Sequence, residues 1–121
     1  MAGKKYVDGF VIPVPKDNIA EYKKIATKAG KVWMDHGALA YYECVGDDLD
    51  TDFGTSFPKL TKLKPDETVI FAWIVYKSRS HRDKVNAKVM ADPRMTAMSK
   101  QKPLFNIKRM SYGGFNSLVV L

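Results

Sequence analysis

One stretch of the chain, residues 68–77, limits the possible folds more than any other. It reads Thr-Val-Ile-Phe-Ala-Trp-Ile-Val-Tyr-Lys and is rich in β-branched and aromatic residues, which favour a strand. Alternate side chains of a strand point to opposite faces, and here both sets are apolar. Ile70 and Ile74 belong to one set, and Phe71 and Trp73 belong to the other. We therefore predict a central strand that is covered on both faces.

The length and composition predict one globular domain over residues 1–121. The hydrophobic fraction is 45% and the charged fraction is 27%, as in ordinary folded domains. Cys44 is the single cysteine, which excludes an intrachain disulfide and a thiolate metal cage. The first residues contain no apolar leader region, and no segment approaches the ~20 apolar residues of a membrane span. We therefore expect a cytoplasmic protein without a membrane partner.

The chain carries a formal net charge of +7, which is compatible with a polyanionic partner. Its lysines and arginines are spread along the sequence, and we find neither a block of like charges nor a nucleic-acid-binding motif. Nucleic acid is therefore not the partner we expect, although RNA binding remains an alternative.

The other elements follow from hydrophobic periodicity and from capping residues. In chain order we predict a strand over 6–14, a helix from Asn18 to Gly37, a strand over 39–45, the central strand, a helix capped by Ser80, a short helix after Asp92 and a strand over 110–121. The order of the main elements, β-α-β-β-α-β, is that of a ferredoxin-like α+β fold with a four-stranded antiparallel sheet and its helices on one face. The second face then needs another cover. A second copy of the sheet is the simplest one, so we predict a homodimer whose two sheets form a barrel.

Four blocks of the sequence resemble the YbaA-like bacterial family of unknown function. They are YVDGF at 6–10, WIVYKSRSHRD at 73–83, VNAKVMADPRM at 85–95 and KRMSYGGF at 108–115. This family is similar in fold to the dimeric α+β-barrel superfamily, which includes small monooxygenases, haem-degrading enzymes and proteins without known catalysis. The resemblance thus implies a dimeric α+β barrel, while fold alone does not transfer a function. The sequence departs from the family at Asn106, where we expect an aspartate.

Two residues near the central strand are candidate catalytic residues. His81 follows that strand at a helix start, where the helix dipole favours a neutral imidazole that is suited to act as a base. Asp8 is a carboxylate between two aromatic residues on its own strand face. We expect Asp8 to point away from the helices and into the barrel, because Gly9 suits the face on which a helix packs closely.

The candidate pocket lies between the sheet and the first turn of the second helix. Its predicted ligand-binding residues are Tyr6, Asp8, Phe10, Trp73, His81 and Arg82. Asp8 and Trp73 can line it only if they point away from the helices, and His81 must then turn inward.

No motif in the sequence identifies a reaction. There is no Ser-His-Asp order, phosphate-binding loop or metal-ligand spacing. Asp48, Asp50 and Asp52 are spaced as in a calcium loop, but the required glycine and glutamate are missing, so we expect neither a metal nor a cofactor. Whether the protein is an enzyme stays open. We consider an uncharacterised dimer that binds a small molecule in the barrel, a cofactor-free monooxygenase-like enzyme and an RNA-binding protein.

Overall fold

The computed structural model describes residues 3–121 and contains a four-stranded antiparallel sheet with helices packed on one face. In chain order the elements are β1 (Tyr6–Pro15), α1 (Ile19–Asp35), β2 (Ala40–Val45), α2 (Phe57–Thr61), β3 (Glu67–Tyr76), α3 (Arg79–Ala91), α4 (Pro93–Ser99) and β4 (Ser111–Asn116). The spatial order β2-β3-β1-β4 confirms the predicted ferredoxin-like α+β fold. The predicted central strand is β3, which pairs with a neighbour on each side.

The register of β1 on β3 decides which side chains meet the helices. Tyr6 pairs with Tyr76, and the pairing continues without a break to Pro15 and Glu67. Because side chains alternate, one face of both strands packs under α1 and α3. Its buried residues form two clusters with the helices. The first contains Tyr6, Val32, Ala38, Ile74, Tyr76, Val85 and Val89, and the second contains Ile12, Val14, Tyr22, Ala26, Ile70 and Ala72.

The opposite face of the sheet, which we call the open face, carries large aromatic side chains. Trp73 is half-buried and stacks on Tyr42, with ring centroids 4.8 Å apart. Tyr42 is 53% exposed, Phe71 46% and Phe115 62%. The ring centroids of Phe57 in α2 and Phe71 are 6.1 Å apart. The long connection between β2 and β3, which contains α2, therefore reaches one edge of this face. The central strand therefore has helices on one side and, on the other, an apolar surface that is buried at Val69 but partly exposed from Phe71 onward.

The helix ends differ in part from the sequence prediction. Ser78, and not Ser80, caps α3, because its Oγ accepts a hydrogen bond from the backbone N–H of His81 at 3.1 Å. Asn18 precedes α1 as predicted, but its side chain donates to the carbonyl oxygen of Leu104 and does not cap the helix. Gly37 ends the helical region with φ of 109°, in the left-handed conformation that glycine adopts without strain. None of the helices in the part of the chain that the structure describes has the length and hydropathy to cross a membrane.

The last strand is shorter than predicted and ends at Asn116. Ser117 still donates its backbone N–H to the carbonyl oxygen of Lys5, but β1 begins at Tyr6 and offers no further strand residues for pairing. The apolar residues 118–121 are exposed as a consequence.

Candidate functional site

The first feature of the site is a buried ion pair between the sheet and α3. Asp8 of β1 is 1% exposed, and its Oδ1 accepts a hydrogen bond from Nη1 of Arg82 at 2.6 Å. Asp8 thus lies on the helix side of the sheet, and the prediction that it faces away from the helices is wrong. Gly9 misled that prediction, because it lies on the open face beside the ring of Phe115 and not under a helix. A Cβ atom at Gly9 would lie 3.5 Å from the ring of Phe115.

Arg82 is held by several groups at once. Its Nε donates to Asp83 at 2.8 Å, its Nη1 also donates to the hydroxyl of Tyr112 at 3.3 Å, and its guanidinium carbon lies 4.9 Å from the centre of the Tyr6 ring. Burial disfavours the charged form, but the hydrogen bond to Asp83 and the charge of Asp8 outweigh it and raise the pKa of Arg82. The guanidinium is therefore a fixed, permanently charged group.

Asn86 lies one helical turn after Arg82, and its amide group has a defined orientation. Its Oδ1 accepts hydrogen bonds from Nε1 of Trp33 at 3.0 Å and from the hydroxyl of Tyr76 at 3.1 Å. Burial, and next the charge of Asp8, raise the pKa of Tyr76, so its hydroxyl remains a donor. Because the indole N–H is a donor as well, the atom that faces them must be oxygen. The Nδ2 amine of Asn86 is then directed to the other side.

These residues border a cleft of about 640 Å³, which we call the arginine cleft. Its lining includes Tyr6, Arg79, Arg82, Asn86, Tyr112 and Gly114. Gly114 allows the side chain of Tyr6 to pack directly against the backbone of β4, since a Cβ atom at this position would overlap the hydroxyl of Tyr6. Among the described residues, Nη2 of Arg82 and Nδ2 of Asn86 have no hydrogen-bond acceptor. Both side chains line the arginine cleft, so each provides a donor that is free to bind a ligand oxygen.

The structure brings together some of the predicted site residues. Tyr6 and Arg82 line the arginine cleft, and Asp8 holds Arg82 through the buried ion pair. Phe10 stacks on Tyr112, with ring centroids 4.9 Å apart. The arginine cleft borders the first turn of α3, as we predicted for the pocket, but it lies on the helix side of the sheet. The predicted pocket required Asp8 and Trp73 to point away from the helices, so that pocket is not the one described here.

Trp73 and His81 do not join this cluster. Trp73 lies on the open face. Nδ1 of His81 accepts the backbone N–H of Lys77 at 2.9 Å, so a neutral ring carries its proton on Nε2. The ring of His81 packs edge-on against Tyr76. These contacts give His81 a role in the turn from β3 to α3, and they do not involve Asp8.

The sequence prediction missed Arg79, Asn86, Tyr112 and Gly114. One signal was available, because residues 79, 82 and 86 are spaced by three and four and must share one face of a helix. Tyr112 and Gly114 gave no such signal, since their place depends on the register of β4 on β1, in which Asp8 pairs with Gly114. No group of three or more His, Cys, Asp or Glu side chains within residues 3–121 is placed to hold a metal ion.

The chain is similar to proteins whose function is also not established. A family model described as a protein of unknown function, DUF1428, matches residues 5–106. The uncharacterised protein YbaA of Escherichia coli strain K12 is 43% identical over 115 residues, which cover 95% of this chain and 97% of YbaA. YbaA of Shigella flexneri matches with the same identity and coverage.

Two solved structures share the fold at low sequence identity. A NIPSNAP family protein of unknown function from Agrobacterium tumefaciens has a TM-score of 0.59 and 16% identity, and the match covers 97% of this chain and 91% of that one. SnoaB, a cofactor-independent oxygenase from Streptomyces nogalater, has a TM-score of 0.58 and 13% identity, with coverage of 99% and 98%. At these identities the similarity shows the fold alone.

Proposed function

The chain belongs to the DUF1428 family of proteins of unknown function, which confirms the YbaA-like resemblance, and we propose that it binds a small molecule in the arginine cleft. The ligand carries an oxygen acceptor, either a carboxylate or a carbonyl group. The observation that supports this most strongly is the pair of unused donors, Nη2 of Arg82 and Nδ2 of Asn86, at one cleft. Its volume of about 640 Å³ lies within the usual range for small-molecule sites.

Both donors are oriented before any ligand arrives. Asp8 holds the guanidinium of Arg82, while Trp33 and Tyr76 hold the amide of Asn86. Because these side chains are already ordered, ligand binding costs little conformational entropy at the site.

The charges around the cleft limit the ligand further. Arg79 and Arg82 are balanced by the carboxylates of Asp8 and Asp83, so the site has no excess positive charge for a multiply charged phosphate. A monocarboxylate or a neutral carbonyl compound fits this balance better. The rings of Tyr6 and Tyr112 provide apolar surface for the remainder of the ligand.

We also propose that the protein is a cytoplasmic homodimer, joined through the open face. Full burial of a large apolar side chain is worth about 1.5–3 kcal/mol, and Phe71, Tyr42 and Phe115 are each exposed enough to gain a substantial part of it in a dimer. The apolar residues 118–121 are exposed as well. We expect an interface of roughly 2,000 Å² or more. The thiol of Cys44 is free, which fits a reducing compartment.

The ligand proposal is tested by replacing the donor Nδ2 of Asn86 with an acceptor, while the hydrogen bonds from Trp33 and Tyr76 are kept. A panel of carboxylates and ketones is first screened for compounds that raise the melting temperature, and calorimetry then gives the affinity of the best carboxylate. Asn86→Asp keeps an oxygen for Trp33 and Tyr76 but replaces Nδ2 with a second carboxylate oxygen. We expect carboxylate affinity to fall at least about tenfold.

Asn106→Asp is the matched control. It makes the same change of charge at an exposed residue whose Oδ1 accepts the backbone N–H of Lys108, a contact that aspartate also makes. Affinity in this control should equal that of the unmodified protein. An equal loss in both variants, or a panel without any stabilising compound, would contradict the proposal.

A second candidate function is cofactor-free oxygenation, which the fold shared with SnoaB supports. In that case the donors of Arg82 and Asn86 would stabilise the enolate oxygen of an activated substrate. The test is oxygen consumption with each ketone that binds, and Asn86→Asp should then abolish it. RNA binding, the third function considered, would instead give an affinity that falls steeply with salt.

A further inference from the structure

A second cavity, which shares no lining residue with the arginine cleft, lies between α1 and β2. Its volume is about 670 Å³. Its apolar walls are Ile19, Ala26, Met34, Val45 and Ile70. We call it the tyrosine cavity, because Tyr22 of α1 and Tyr41 of β2 both line it beside Glu43.

Glu43 accepts one tyrosine hydroxyl on each carboxylate oxygen. Tyr22 donates to Oε1 at 2.7 Å, and Tyr41 donates to Oε2 at 2.6 Å. Burial, followed by the charge and the hydrogen bond of Glu43, raises the pKa of both tyrosines, so they stay neutral donors. A carboxylate has about four lone-pair sites, and these two bonds leave capacity on both oxygens for a ligand.

The charge of Glu43 is not matched by an ion pair. Among the described residues, the salt bridges do not include Glu43, although the residue is only partly exposed. Lys23 and Lys31 line the cavity from α1, but both are exposed, and Asp35 lies with them. Glu43 therefore lacks the cationic partner that a partly buried carboxylate usually has.

We propose that the tyrosine cavity binds an organic ammonium ion with an apolar chain. The ammonium group donates to the carboxylate of Glu43, next to the rings of Tyr22 and Tyr41, where cation–π attraction adds to the ion pair. The chain lies along the apolar walls between α1 and β2. This inference does not depend on a ligand in the arginine cleft.

The test compares three probes with the same octyl chain, which are octylammonium, octanol and octanoate. Titration calorimetry on the full chain, below the micelle concentration of each probe, should show saturable binding of octylammonium at least about tenfold tighter than that of octanoate. Glu43→Gln should weaken octylammonium at least about tenfold and change octanol by less than about twofold. Glu21→Gln, an exposed change on α1 that also removes a carboxylate, should leave all three affinities unchanged.

A second variant covers the case in which Glu43→Gln does not fold. Met34 lines the cavity but is 44% exposed, so Met34→Lys adds a positive charge without burying it. This variant should weaken octylammonium and strengthen octanoate. Absence of saturable octylammonium binding, or equal binding of octylammonium and octanoate, would overturn the proposal. A loss that Glu21→Gln reproduces would overturn it as well.

Discussion

Asp8→Asn should destabilise the protein by about 3 kcal/mol, because it leaves the guanidinium of Arg82 without its buried counter-charge. The structure supports a large effect, since the side chain of Asp8 is 2% exposed and that of Arg82 is 13% exposed. Removing one partner of a buried ion pair generally costs about 3–5 kcal/mol. We choose the lower end because Arg82 keeps its hydrogen bond to Asp83 and its contact with the Tyr6 ring.

The assay for this prediction is urea denaturation at one fixed protein concentration, followed by tryptophan fluorescence. A double-mutant cycle with Arg82→Met isolates the pair, because methionine retains much of the apolar stem of arginine. The double variant should be more stable than the sum of the two single losses indicates. Asp17→Asn, at an exposed residue before α1, should change stability by less than about 0.5 kcal/mol. An effect of Asp8→Asn as small as this control would refute the role of the ion pair.

Three further predictions concern packing, pH and assembly. Gly114→Ala should lower the melting temperature, because its methyl group would overlap the hydroxyl of Tyr6. Gly113→Ala should be tolerated, because its methyl group would meet only the ring of Phe115, at 3.8 Å. Equal melting temperatures of the two variants would contradict this. The hydrogen bond from Arg109 lowers the pKa of Glu67 below its ordinary value of 4.5, so its stabilisation is present above that pH and is lost as the pH falls toward the folded pKa. Glu67→Gln should therefore flatten the acid side of the stability profile, and an unchanged profile would count against the pair. Trp73→Ala should lower the melting temperature more at low than at high protein concentration if the open face forms the dimer, and a concentration-independent loss would argue for a monomer.

The sequence was sufficient to predict the fold because the central strand has two apolar faces and lies in a regular order of elements. The two apolar faces of this strand also made it impossible to predict which face of the sheet packs against the helices. When both faces are apolar, periodicity does not indicate which one the helices cover. The choice of face for Asp8 therefore relied on Gly9, which placed it wrongly, and the partner that identifies the correct face, Arg82, lies 74 residues away in sequence.

The candidate site was predicted only in part, for a similar reason. Arg82 could be identified because it follows the central strand closely in sequence. Tyr6 could be identified because it belongs to the strand that pairs with the central strand. The role of Asn86 depends on two donors, one of which is Trp33, 53 residues away. The tyrosine cavity likewise requires Tyr22 and Glu43 to meet across 21 residues, which depends on how α1 packs on the sheet.

Asn106 shows why a departure from the family pattern does not always change the structure. Its Oδ1 accepts the backbone N–H of Lys108 at 3.0 Å. Aspartate provides the same acceptor, so either residue can start the short turn that follows. The residue is exposed and does not line the arginine cleft.

The side-chain amide signal of Asn86 gives the most direct test of ligand binding in the arginine cleft. In a nitrogen-15 spectrum, titration with the tightest carboxylate of the panel should shift this signal saturably, because the ligand accepts a hydrogen bond from Nδ2. The amide signal of Asn106 and the indole N–H signal of Trp73 should remain in place, since neither residue lines the cleft. A ligand that shifts the indole signal of Trp73 and leaves Asn86 unchanged would place binding on the open face and contradict the arginine cleft.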